Sequence, residues 1–406
     1  MKQTSVLVVI AGAALSTAAM AGDTSDRAYQ AELLAASQSR ASSAGMFADA
    51  GSTVKVGGYT QFRWIHNFRD NPSGGSSGHD SGYTHGFEIP RTRLEVTGTI
   101  GNDNLSFKVD ADFNKSGEAA LMDAYGNYKL DDNNAVKWGQ FKLPLLREEL
   151  ISDTRQLSVD RSVVNTIFTA DRAQGVMWTY ESDSFRFMGA VSDGPRTLNT
   201  PYNSASEGDL ALTARGEFKW GDDWKRFHDF TSWQNKDMAG LFGAALHWQH
   251  VGNTAAVASQ EQANMLAYTL DYSLEGNGWN FYLAAVGMHN DPDEGGSDAS
   301  TDDWGLIAQF GIFVSASDEL FARWDWVLPD GDRTGDDDFH TIGAGWNHYF
   351  FPESHAAKFT ADVQWFINEP DQNDLVAGIV DSNNNALRTD SESDQIALRL
   401  QMQLVF

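Results

Sequence analysis

Lys142, Arg147, Arg155 and Arg161 share one segment, residues 141–171, with Glu148, Glu149, Asp153 and Asp160. A second set of cations, Arg63, Arg91, Arg93, Arg215, Arg323 and Arg399, stands at polar positions of stretches in which polar and apolar residues alternate. Gathered in a narrow aqueous passage with low-dielectric walls, a few such charges focus the field and sort ions by sign. Paired with one another and solvated across a wet interior, the same charges would sort nothing, and the sequence leaves both outcomes open. Bond-making chemistry has little to draw on. With no cysteine in the chain, thiolate metal sites and cysteine nucleophiles are excluded. Neither G-x-x-x-x-G-K-[ST] nor H-E-x-x-H occurs, so a phosphate cradle and a zinc hydrolase lack support. No catalytic residue, metal ligand or cofactor is expected.

Two further constellations are weaker. Asp291 to Asp302 places acids at positions 1, 3 and 12 and glycine at 6 of a calcium-loop pattern, but position 5 is Gly295 and no helical pattern flanks it. A solvated acidic loop is the simpler reading, and it could still bind divalent ions that bridge cell-surface lipid. His66, His85, His247, His250 and His289 fall near the tops of predicted strands, where an outer-membrane lipid hydrolase or protease would carry its site. Histidines scattered at an interface are more simply amphipathic anchors. An enzyme and a structural or adhesive barrel therefore stand as the alternatives to a channel.

The elements that position these charges are strands. Ile396, Leu398, Leu400, Met402, Leu404 and the terminal Phe406 alternate with Gln395, Ala397, Arg399, Gln401 and Gln403. In 104–114, Leu105, Phe107, Val109, Ala111 and Phe113 oppose Ser106, Lys108, Asp110, Asp112 and Asn114. Burying either face in an ordinary core would strand charge or expose apolar surface, whereas a barrel wall gives one face to lipid and the other to water. Short turns alternate with long Gly/Asp/Ser-rich segments, and the count comes to about 16 strands of ~10 residues, an antiparallel transmembrane β-barrel. Sixteen strands leave an aqueous channel where eight would fill with side chains. Residues 221–238, with Trp224, Phe227, Phe230 and Trp233, fall on the short-turn side yet are long; either they form a periplasmic helix or the strand register slips there.

Lys2, an apolar stretch from Val6 to Leu15 and the small residues before Gly22 read as an exported signal peptide over residues 1–21. Residues 22–50, Ala/Ser-rich, are expected to be a periplasmic lead-in or a short helix, and 51–406 to be the barrel domain in a Gram-negative outer membrane. The 13 Trp suit aromatic girdles, and the mean hydropathy of −0.40 suits strands with only alternate residues facing lipid. A formal charge of −27 argues against nucleic acid as a partner and leaves lipids and small solutes.

Gly58-Tyr59-Thr60-Gln61-Phe62-Arg63, Pro90-Arg91-Thr92-Arg93-Leu94, Met122-Asp123-Ala124-Tyr125 and Lys137-Trp138-Gly139-Gln140-Phe141 together resemble the phosphate-selective porin O/P family. The resemblance implies a trimeric, 16-stranded porin with a third loop folded inward and arginines that draw anions. Arg91 and Arg161 match basic residues of that lining, and Asp123 an acidic wall residue. Glu148-Glu149 departs from the family, where a lysine is expected near the centre of the anion site, and so weakens the case for tight phosphate binding.

Overall fold

The computed structural model describes residues 51–69, 82–113, 117–201, 210–251, 263–292, 300–380, 386–389 and 391–406. The expected signal peptide, the 22–50 segment and most of the acidic stretch from Asp291 to Asp302 lie outside them. Sixteen strands form one closed antiparallel barrel in sequential order. They are β1 (Thr53–Phe68), β2 (Tyr83–Ile100), β3 (Asn102–Phe113), β4 (Ala119–Lys129), β5 (Asn134–Lys142), β6 (Arg172–Glu181), β7 (Phe185–Ser192) and β8 (Leu210–Trp220). The second half holds β9 (Ala239–Val251), β10 (Ala263–Gly276), β11 (Trp279–Asp291), β12 (Thr301–Phe313), β13 (Asp318–Leu328), β14 (Phe339–Tyr349), β15 (Ala357–Phe366) and β16 (Gln395–Val405). No helix among the described residues is long and apolar enough to cross a membrane.

Alternation settles which face each strand shows. In β8, Leu210, Leu212, Phe218 and Trp220 are exposed while Thr213, Arg215, Glu217 and Lys219 are buried; β16 repeats the pattern. Outward Trp248, Trp304 and Trp365 stand near the loop ends of their strands, and Trp178, Trp220 and Trp346 near the turn ends, as two interfacial girdles. A cysteine at Phe107 should therefore react with a lipid-phase maleimide and one at Lys108 only with a water-soluble reagent; labelling of reconstituted protein checks this, and the opposite pattern would overturn the register.

The pairing of β1 with β16 closes the barrel, and Phe406 extends it by one step. Phe406 and Gly58 exchange both backbone hydrogen bonds at 2.9 Å. Glycine is required there, because a Cβ on Gly58 would stand 2.3 Å from the Arg93 carbonyl oxygen.

Two units divide the chain. The smaller, described over residues 51–54 and Thr99–Asp103, is held by Thr53 and Thr99 hydroxyls 2.9 Å apart and by Ser52 Oγ, which accepts from Gly101 N at 3.1 Å. The larger, Lys55–Gly98 and Asn104–Phe406, carries everything discussed below.

The third loop, between β5 and β6, holds α1 (Arg147–Leu150), a 3₁₀ turn (Asp153–Arg155) and α2 (Val163–Phe168). Ser162 caps α2, its hydroxyl accepting from Asn165 N at 2.8 Å. Leu146, Ile151, Leu157, Val163, Val164 and Phe168 pack on inward Tyr282, Ala284, Val286, Ile307, Phe321, Val327, Phe339 and Phe366. The inner face of β11–β15 is thus partly apolar, where a wet lumen alone would ask for polar residues, because the loop lies on it. Gly305 of β12 makes the contact close: a Cβ there would sit 2.6 Å from Val164 Cγ1.

Residues 221–238 resolve in favour of regular register. They connect β8 to β9 on the turn side and contain a single 3₁₀ turn, Trp224–His228. Their apolar residues point inward: Phe227 and Phe230 are buried, the Phe230 ring lies 4.7 Å from Tyr282, and Phe230 N donates to Arg155 O of the third loop at 3.4 Å. Trp233 packs 4.8 Å from Tyr349 and 5.2 Å from Phe313. The segment is long because it fills space beneath the loop.

Candidate functional site

Pinning the third loop consumes many of the inward polar groups. Asp362 of β15 accepts from Ser158 Oγ at 2.8 Å and Val159 N at 3.1 Å, and from Arg399 Nε and Nη2 at 2.7 Å each. Asp325 accepts from Val163 N at 3.1 Å, Lys358 donates to Gln156 O at 2.7 Å, and Asn347 to Leu157 O at 3.0 Å. Four arginines and an acid that the sequence placed along the pore belong to this scaffold. Arg215 donates to Leu145 O at 3.1 Å and to both oxygens of Asp271. Arg323 donates to Asp160 O at 2.8 Å. Arg147 donates to Ser273 Oγ at 2.9 Å and Phe227 O at 2.8 Å. Arg63, inward as expected, has no exposed surface. Glu148 turns into the loop, accepting from Ser162 N at 2.8 Å and lying 3.7 Å from Arg323. Arg155 stands apart, exposed on the side facing the 221–238 turn.

Buried inner faces on β9–β16 leave the water path along β2–β7, where Glu95, Lys108, Asp112, Tyr125, Lys137 and Arg186 keep partial exposure. The loop's other side completes the wall. Asp160 accepts from Arg63 Nη1 at 2.8 Å and Nη2 at 3.0 Å, from Arg91 Nη2 at 3.1 Å, and faces Arg399 Nη1 at 3.4 Å. Asp153 binds Arg161, lies 3.4 Å from Arg93 Nη1 and 3.9 Å from Arg91 Nε, and accepts the Tyr59 hydroxyl at 2.9 Å. Burial pushes Asp153 toward its neutral form, but Arg161, Arg91 and Arg93 outweigh that and hold its carboxyl well below the usual range. Glu149 sits 3.1 Å from Lys142 Nζ and 3.4 Å from Arg161 Nε. The structure therefore brings together Arg91, Arg93, Lys142, Glu149 and Arg161 of the expected set, around an acid, Asp153, that the sequence counted only as part of the segment.

Asp123 faces the lumen on the same alternation as Tyr125, beside a bulge. The β3–β4 register shifts between Val109 and Ala111, and the extra β4 residue re-aims the local side chains. Gln140 stabilises the bulge by donating to Leu121 O at 2.8 Å. Asp123 then meets Arg172 Nε at 2.7 Å and Lys108 Nζ at 3.2 Å, and Lys108 also meets Glu95 at 2.7 Å and Asp110 at 3.2 Å. Lys108 was legible as inward by parity, while Arg172, the first residue after the loop, carried no periodic signal.

Accessibility decides the sign of this field. The Arg91 side chain is 11% exposed against 1% for Asp160; Lys142 and Arg161 are 15% and 13% exposed against 7% for Glu149 and 6% for Asp153. In these three pairs the cation reaches the water and its acid stands behind it. On the facing wall and at the end of the loop the order reverses: Glu95 is 41% exposed against 22% for Lys108, Asp112 20% against 10% for Arg93, and Asp171 27% against 4% for Arg172.

The five histidines do not form a catalytic arrangement. His66 and His85 stack with each other at 5.5 Å and with Tyr83 in the outward aromatic belt, His247 Nδ1 bonds Thr213 Oγ1 at 2.8 Å, His250 Nδ1 meets Asn264 Oδ1 at 3.0 Å, and His289 Nδ1 meets Asp302 Oδ1 at 2.9 Å. No cluster of three or more metal-binding side chains occurs among the described residues.

Similar barrels are known. The outer membrane channel DcaP of Acinetobacter baumannii superposes with a TM-score of 0.60 at 13% identity, covering 89% of this chain and 99% of that one. An anion-selective porin from Comamonas acidovorans gives 0.57 at 12% identity over 87% and 100%, and the trimer form of OmpT from Vibrio cholerae 0.56 at 11% over 88% and 100%. These likenesses speak to the fold. A search of curated proteins finds no match. The model of phosphate-selective porin O and P matches residues 62–291, a stretch that contains the Arg91–Arg93 wall, the bulge at Asp123 and the whole third loop. A closed 16-stranded barrel with lipid-facing girdles and a charged lumen is thus joined to a family of outer-membrane channels rather than to enzymes, and the chain belongs to the phosphate-selective porin O and P family.

Proposed function

We propose that this porin is a passive, homotrimeric channel for small solutes with a modest preference for anions and weak affinity for phosphate. The preference rests on one observation: where the third loop meets the water path, Arg91, Lys142 and Arg161 are more exposed than Asp160, Glu149 and Asp153, which pair with them. A permeating ion meets the cations at contact distance and the acids through them, so the two signs cancel incompletely. Weak phosphate affinity follows because Glu149 already occupies Lys142 and Arg161, and phosphate would have to displace it. Trimeric assembly is supported by family membership and by the trimer form of the Vibrio cholerae neighbour. Export through the signal at residues 1–21 fits an outer-membrane address. Transport needs no cofactor and no covalent step.

Reversal potentials of purified channels in planar bilayers under a KCl gradient test the proposal. Chloride should permeate over potassium by roughly two- to fivefold, equivalent to about 0.5–1 kcal/mol. A potassium preference would overturn it.

A further inference from the structure

We propose that Lys137 forms a second, separate station in the lumen that favours organic carboxylates over inorganic phosphate. It deepens the anion preference proposed above and rests on it for the sign of the solute. Lys137 lies on β5 with its neighbour Trp138 facing outward, so its own side chain faces the water path. The ammonium stands 4.5 Å from the centre of the Tyr125 ring and 5.7 Å from that of Phe141. Among the described residues no carboxylate lies within 4.0 Å of it.

That separates Lys137 from the other lumenal cations. Arg91, Arg93, Lys108, Lys142, Arg161, Arg172 and Arg186 each have an acid at hand. Lys219 and Lys358 donate to backbone carbonyls. The neighbours of Lys137 are aromatic faces, which attract a cation without neutralising it. No protein carboxylate is in contact with it, so a solute anion reaches it without displacing one.

The surroundings choose the kind of anion. A phosphate dianion carries several strongly hydrated oxygens and needs several donors to replace its water. Here one ammonium is offered beside a partly exposed ring, Tyr125, and a fully buried one, Phe141. A carboxylate on an apolar body needs one cation and gains from the ring surface. Phosphate gains little beyond the charge.

The test reads block of the single-channel chloride current by benzoate and, separately, by inorganic phosphate, in the full channel and in Lys137→Gln and Lys137→Arg. Lys137→Gln should raise the half-blocking concentration of benzoate about tenfold, the loss of one charge-assisted contact, and change that of phosphate less than twofold. Lys137→Arg should keep most of the benzoate block. Because only inserted channels are recorded, misfolding cannot imitate the result. Equal loss of benzoate and phosphate block, or loss of neither, would overturn the station. If the native channel lacks chloride preference yet shows the Lys137-dependent benzoate block, the station stands and the broader anion reading falls.

Discussion

Asp153→Asn should turn a modest chloride preference into a strong one. This carboxylate alone faces Arg161, Arg93 and Arg91, all of which touch the water path, and Tyr59 holds it in place. Removing one unit charge at about 4 Å changes an ion's energy by ~1 kcal/mol in bulk water and ~4 kcal/mol at an effective dielectric of 20. Even the lower figure shifts the chloride-to-potassium permeability ratio about fivefold. Arg161→Gln should move the ratio the other way. Glu149→Gln should also raise chloride permeation, because it frees Lys142 and Arg161, whereas Glu148→Gln should leave the ratio unchanged, since that side chain is turned into the loop against Ser162 and Arg323. All shifts should shrink at 1 M salt, where screening acts over ~3 Å. Reversal potentials in low and high salt gradients measure each of these, and equal effects of Glu148→Gln and Glu149→Gln would place the loop wrongly.

The contrast between Glu148 and Glu149 shows how far the sequence could be read. Period-two alternation put Lys108, Arg91, Arg215 and Arg399 on the inner face correctly, because a strand has only two faces and lipid accepts only one kind of side chain. The strand count was legible for the same reason. Alternation says nothing about what lies opposite. Arg215, Arg323 and Arg399 look like Arg91 in sequence, yet they hold the third loop while Arg91 meets the water path; only the fold of 141–171 separates them. That loop has no period, and its two acids point to different places because α1 is barely one turn long. A bulge beside Asp123 breaks, for the residues upstream of it on β4, the rule by which inner residues are counted. Likewise the aromatic residues of 221–238 were visible as an anomaly, but their inward packing under the loop was not.

Asp362→Ala is expected to have the largest structural effect, because it cuts the loop from its wall and leaves a buried guanidinium short of a partner. Asp362 receives two donors from the loop and two from Arg399, whose side chain is 1% exposed. Breaking a buried pair from one side typically costs about 3–5 kcal/mol, more than most single substitutions. The folded band on unheated gels should therefore be lost at a lower temperature. The open channel should conduct more, with a noisier current, since Ser158 and Val159 lose their anchor. Both effects have a common cause in the single variant, but the double variant Asp362→Leu, Arg399→Met separates them. Replacing a buried ion pair by apolar side chains of similar size is often neutral or stabilising, so the melting temperature should recover. The loop still lacks its acceptor, so the raised conductance should persist. Recovery of both properties would mean that Asp362 serves only to neutralise Arg399, and that other contacts hold the third loop across the lumen.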